Sequence, residues 1–139
     1  MPKNETNDWK IPLYKIYTDD EDVQLITKIV RRGSNWAIGP EIEEFEESIK
    51  NYVGSDYCLT LNSGTSALHA SFLAYGFGTG DEIIVPSFTF VSTVNATRFV
   101  NASPIFSDIE EKTFGLDPEF ITSKITSNTK AVVPMDYGG

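Results

Sequence analysis

The sequence predicts an α/β fold, a mostly parallel sheet flanked by helices. Three observations lead there. Short apolar runs recur at 57–61, 82–86, 104–107 and 130–134, the length and composition of buried strands. Stretches of helical length separate them, at about 65–76, 89–100 and 118–125. Strands joined through helices of this size lie parallel, linked by right-handed crossovers.

The first 56 residues follow another pattern and read as an N-terminal extension with two helices, ahead of the first part of an α/β domain at 57–139. One helix is expected at about 19–32. Asp19, Asp20, Glu21 and Asp22 stand at its start and Arg31 and Arg32 at its end, both favourable to the helix dipole. Val23, Ile26, Ile29 and Val30 make one apolar face, and Gly33 ends the helix. The acidic run reads as a dipole-matched cap, with a cation site as the alternative. The other helix follows Gly39: Pro40 suits its first position, Ile42, Phe45, Ile49 and Tyr52 repeat at three and four, and Gly54 closes it. Between the two lies a loop with Trp36 at its tip. That ring either packs on the second helix or belongs to a binding surface or subunit contact. Further on, Asp117 and Pro118 mark the start of the helix at 118–125.

Composition excludes several classes. A net charge of −9 offers no basic stripe for phosphate counterion release, which argues against nucleic acid and anionic membranes as partners. No apolar run approaches a membrane span, and Met1-Pro2-Lys3-Asn4-Glu5 lacks the apolar core of a signal peptide. The single cysteine, Cys58, excludes an intrachain disulfide framework and reads as an inert buried thiol. The expectation is a cytoplasmic acidic protein.

The chemistry concentrates after residue 57. An apolar run leads into Asn62-Ser63-Gly64-Thr65-Ser66 and then a helix. Unsatisfied N–H groups and the positive end of the dipole converge at such a terminus, and Gly64 lets an anion approach the backbone. Thr65 and Ser66 add hydroxyl donors. The plainer reading is that Ser63 or Thr65 merely caps the helix. The turn is neither the P-loop nor the dinucleotide fingerprint, which disfavours an ATPase, an NAD enzyme or a small nucleotide-binding module. A second group, Pro86-Ser87-Phe88-Thr89-Phe90, stands at the carboxyl end of the next strand, where open α/β sheets collect ligands. Either aromatic offers a face to a planar ring, with packing the better account of one of them. His69, the only histidine, reads as structural.

Several segments in order resemble the DegT/StrS-type sugar aminotransferases, fold-type I enzymes dependent on pyridoxal 5′-phosphate (PLP). They are Trp36-Ala37-Ile38-Gly39-Pro40-Glu41-Ile42, Asn62-Ser63-Gly64-Thr65-Ser66-Ala67-Leu68-His69, Gly80-Asp81-Glu82-Ile83-Ile84-Val85-Pro86-Ser87-Phe88-Thr89-Phe90, the stretch 125–134, and Tyr137-Gly138-Gly139. The resemblance spans about residues 11–139. It implies the N-terminal portion of the fold-type I large domain, incomplete at its C-terminal end. By the same resemblance Gly64, Thr65 and Ser66 hold the PLP phosphate, and Phe90 lies against the pyridine face. The loop 35–40 lies near the sugar or a dimer partner, although Ala37 stands where relatives often carry threonine. Asp136 stands where many carry histidine. The implied reaction moves an amino group, from glutamate, to a nucleotide-linked keto sugar, in an enzyme that is a homodimer at full length.

PLP transamination needs a lysine that carries the cofactor and an acid near the pyridine nitrogen. The resemblance puts both beyond the strand at 130–134. None of the eight lysines matches the catalytic position, so catalytic residues among these 139 are expected to be none, and the chain alone inactive. The strand at 57–61 is expected to lack parallel neighbours, which would leave the chain by itself unstable, aggregation-prone or rearranged. Two other readings stay open: a non-catalytic remnant or split-enzyme half that binds a phosphorylated ligand, and a PLP-dependent sugar dehydratase relative.

Overall fold

The computed structural model describes residue 11 and residues 14–137. The closing Gly138-Gly139, residues 1–10, and Pro12 and Leu13 of Ile11-Pro12-Leu13-Tyr14 therefore lie outside the described residues. The chain divides into two compact units, Met1–Asp56 and Tyr57–Gly139.

Among its described residues the first unit contains two helices, α1 (Asp20–Arg32) and α2 (Pro40–Val53). The acidic run is a cap. The Asp19 carboxylate accepts the N–H groups of Glu21 and Asp22, and the Asp22 carboxylate accepts the N–H of Asp19 in return. Gly33, at φ 75°, ends α1 in the left-handed conformation that glycine adopts without a Cβ penalty. Pro40 opens α2, and Gly54, at φ 72°, closes it. Neither helix has a buried residue, so the predicted apolar faces exist but point outward, with Val23, Ile26, Val30 and Phe45 all exposed.

The second unit runs α3 (Gly64–Ala74), β1 (Glu82–Pro86), α4 (Ser92–Phe99), β2 (Ser103–Ser107), α5 (Pro118–Lys124) and β3 (Thr129–Val132). The three strands form one parallel sheet in the order β2-β1-β3. Central β1 carries the most apolar run and is almost wholly buried. Its Ile83 and Val85 pack under Phe72 of α3 and Ala96 of α4, with Val100, Ala102 and the half-buried Leu68 completing the cluster. Side chains of this kind each contribute roughly 1.5–3 kcal/mol on full burial. The start of β1 is tied to the segment before β3: Thr126 Oγ1 donates to Glu82 at 2.5 Å, and the Glu82 N–H donates to the Asn128 carbonyl.

One predicted strand does not form. Residues 57–61 belong to no ladder of the sheet and are irregular, with Tyr57 91% and Leu59 75% exposed. Both sides of β1 are occupied by β2 and β3, and the chain after residue 61 goes to α3 over the sheet face rather than to a sheet edge. An apolar run becomes a strand only where a ladder accepts its backbone groups. Cys58 is accordingly half-buried in irregular chain, not enclosed in a strand. Smaller differences have local causes. β3 ends at Val132 rather than 134, as Pro134 has no N–H to donate. α4 starts at Ser92 rather than 89, because residues 87–89 bend away from β1 first.

Candidate functional site

The turn before α3 carries the site. Ser63 is its N-cap, in extended backbone, and its Oγ accepts the Ser66 N–H at 3.1 Å. The backbone ladder begins with the Ala67 N–H on the Ser63 carbonyl at 3.0 Å. Two donors remain. The N–H groups of Gly64 and Thr65 point out of the first turn and meet no protein acceptor among the described residues.

Ser63 Oγ also donates to Ser66 Oγ at 3.0 Å. Ser66 thus receives a hydrogen from inside the turn, and its own hydroxyl hydrogen is left to point outward. No acidic side chain stands in the first turn of α3, whereas α1, α2 and α5 each have one or more there. Gly64 is exposed, and a Cβ built on it meets nothing within 4 Å, so the space over the terminus is open. Two backbone N–H groups, the Thr65 and Ser66 hydroxyls, the dipole and that space make a donor set suited to a phosphate. The cap reading and the anion reading are both satisfied: Ser63 caps one donor and leaves the others.

At the carboxyl end of β1 the two phenylalanines separate. Phe88 lies 4.7 Å, centroid to centroid, from Tyr137 and 6.1 Å from Phe114, a small aromatic cluster of its own. Phe90 takes no part in it and is 72% exposed, two residues ahead of α4. No hydrogen bond or ring contact joins Phe90 to residues 63–66, all of which are described. His69 sits edge-on to Phe99 at 5.4 Å and fastens α3 to α4. Asp136 is exposed. Asp108 accepts the Ile109 N–H at 2.8 Å and the Ser87 hydroxyl at 3.3 Å.

Sequence reasoning missed the partners of Phe88, because Phe114 and Tyr137 are distant in the chain and the segment between β2 and α5 carries no periodic signal. That segment closes through a bridge between Ile109 and Leu116, with the Glu110 carboxylate accepting the Lys112 and Thr113 N–H groups and the Thr113 hydroxyl. These bonds hold the Glu110 carboxyl below the usual carboxylate range, the Thr113 hydroxyl contributing most.

Comparison with known proteins shows the family of the chain. The model of the DegT/DnrJ/EryC1/StrS aminotransferase family matches residues 17–139. The chain belongs to that family. Its similarity to the UDP-2-acetamido-2-deoxy-3-oxo-D-glucuronate aminotransferase of Pseudomonas aeruginosa is 38% identity over 114 residues, 82% of this chain and 32% of that protein. To the UDP-4-amino-4-deoxy-L-arabinose–oxoglutarate aminotransferase of Shewanella sediminis it is 36% over 130 residues, 93% of this chain and 33% of the other. The X-ray structure of an aminotransferase from Psychrobacter cryohalolentis superposes with a TM-score of 0.82 at 28% identity, over 88% of this chain and 31% of that one. The chain thus spans about a third of the length of these relatives. Its architecture is that of fold-type I aminotransferases over part of their length. The family is PLP-dependent, and solved neighbours include one in its PLP form and one with pyridoxamine phosphate bound.

Proposed function

We propose that these residues are the N-terminal part of a PLP-dependent aminotransferase that moves an amino group, from glutamate, to the ketone of a nucleotide-linked sugar. The observation that carries this reading is the first turn of α3, a phosphate-sized set of donors in a chain of the DegT family. The relatives from Pseudomonas and Shewanella support the substrate class through the UDP-linked sugars in their names, and the latter supports the glutamate–oxoglutarate pair.

In this reading the Gly64 and Thr65 N–H groups and the Thr65 and Ser66 hydroxyls hold the cofactor phosphate. Ser63 keeps the turn in shape, and the exposed ring of Phe90 would offer the pyridine an aromatic face. When bound, PLP supplies the electron sink that amino-group transfer requires. The lysine that carries the cofactor is not one of the eight lysines here, so these 139 residues alone are inactive. The intact enzyme is a cytoplasmic homodimer. Among the described residues no helix is long and apolar enough to cross a membrane.

The test uses the native polypeptide that contains these residues, with PLP, glutamate and UDP-linked 3-keto and 4-keto sugars. Release of oxoglutarate with formation of an amino sugar is the expected result. Loss of water from the sugar without amino transfer would replace the reading by dehydration. A native polypeptide of 15.5 kDa that binds PLP without turnover would replace it by a non-catalytic or split protein.

A further inference from the structure

The loop between α1 and α2 is built around one side chain. Arg32, the last residue of α1, turns its guanidinium back over residues 33–39. Its Nε donates to the Ser34 carbonyl at 3.0 Å and its Nη2 to the Asn35 carbonyl at 2.8 Å. Its Nη1 reaches both oxygens of Glu41, in the first turn of α2, at 2.7 and 2.9 Å. Only 27% of the Arg32 side chain and 22% of the Glu41 side chain remain exposed.

Gly39 is the complement of this arrangement. A Cβ there would lie 2.6 Å from Arg32 Nη2, 2.5 Å from Glu41 Oε2 and 2.8 Å from the Asn35 carbonyl oxygen. The guanidinium and its partners occupy the space that any other residue would need. Asn35 sits at φ 53°, a left-handed conformation that asparagine tolerates better than most. At the tip, Trp36 is 65% and Ile38 85% exposed. Left free, such side chains would fold back on nearby apolar surface.

We propose that Arg32 is the positioning residue of this loop, a latch that holds residues 33–39 in one conformation and keeps Trp36 and Ile38 presented at its tip. Lysine cannot replace the latch. Its ammonium is a single point of charge, while two carbonyls and a carboxylate here are spread around a planar fork. The inference concerns the first unit alone and does not depend on amino transfer.

The experiment compares wild type with Arg32→Lys and Gly39→Ala in the native polypeptide, by chymotrypsin cleavage after Trp36 and by 19F NMR of 5-fluorotryptophan at that position. Both substitutions should raise the cleavage rate by about tenfold, through a larger population of open loop. Both should narrow the Trp36 line by about twofold as the ring gains fast motion. Far-UV circular dichroism and the urea midpoint separate this from general unfolding. If Arg32→Lys is globally destabilised, Glu41→Gln, which takes the carboxylate from the guanidinium, decides: faster cleavage than wild type supports the latch and a wild-type rate overturns it. Wild-type cleavage and linewidth in Arg32→Lys would overturn the proposal, as would a wild-type loop already as mobile as the variants.

Discussion

Replacing Ser63 by aspartate should separate capping of α3 from anion binding at the same turn. Aspartate caps as well as serine, so the Ser66 N–H now met at 3.1 Å by Ser63 Oγ keeps an acceptor, and stability should stay within a few tenths of a kcal/mol. Alanine removes the acceptor and should cost about 1 kcal/mol. Binding should move the other way. A carboxylate about 5 Å from a phosphate dianion is repelled by roughly 1.7 kcal/mol even in a water-like dielectric, and a lower effective dielectric enlarges this. That is about 18-fold in affinity, because about 1.36 kcal/mol corresponds to tenfold. Ser63→Ala should lose less, about threefold, as only the orientation of the Ser66 hydroxyl is disturbed. Calorimetric titration of PLP into the native polypeptide gives the affinities, and urea melts give the stabilities. The expected pattern is a stable Asp variant that binds poorly and a less stable Ala variant that binds well. Wild-type affinity in Ser63→Asp would show that no phosphate sits at α3.

Three further outcomes follow. Phe90→Ala should weaken PLP about 2- to 12-fold, the range of one aromatic contact, and leave the urea midpoint unchanged because the ring is exposed; an unaltered affinity would remove Phe90 from the site. Val85→Ala should destabilise the second unit by about 2–3 kcal/mol, since the side chain is fully buried between β1 and the α3–α4 pair, and a urea melt measures it. Acid should weaken the protein through Glu41, Glu47 and Glu110, whose carboxyls are held below the ordinary value of 4.5 chiefly by hydrogen bonds to Arg32, Lys50 and Thr113 respectively. Their contribution is complete above the unfolded value and is lost as pH falls through the lowered folded values. Urea midpoints should therefore drop below about pH 4 and drop less in a variant with all three as glutamine.

Local signals carried most of the fold. Pro40, Gly33 and Gly54 act at helix ends through their own backbone preferences, so both helices of the first unit were legible to within a residue or two. β1 was legible because a continuous apolar run has few other places to go. Tyr57–Leu61 did not form for the opposite reason: strand character depends on a neighbour, and, as expected, this run has no parallel neighbour in the sheet. The turn at Ser63–Ser66 could be read as a cap or an anion cradle, and only the hydrogen bonds showed that one hydroxyl serves the first role while two N–H groups stay available for the second. The Arg32 latch was illegible, because it joins a side chain to carbonyls and carbonyl positions leave no mark on residue type.

The order β2-β1-β3 has one more consequence. β2 and β3 lie on opposite sides of β1, so right-handed crossovers from β1 to β2 and from β2 to β3 run over opposite faces of the sheet. Here the chain leaving β1 delivers Phe88 and the chain leaving β3 delivers Tyr137, and the two rings meet 4.7 Å apart. The two rings, each about half exposed, tie the chain leaving β1 to the chain leaving β3, so a shift of either segment at the carboxyl ends is passed to the other.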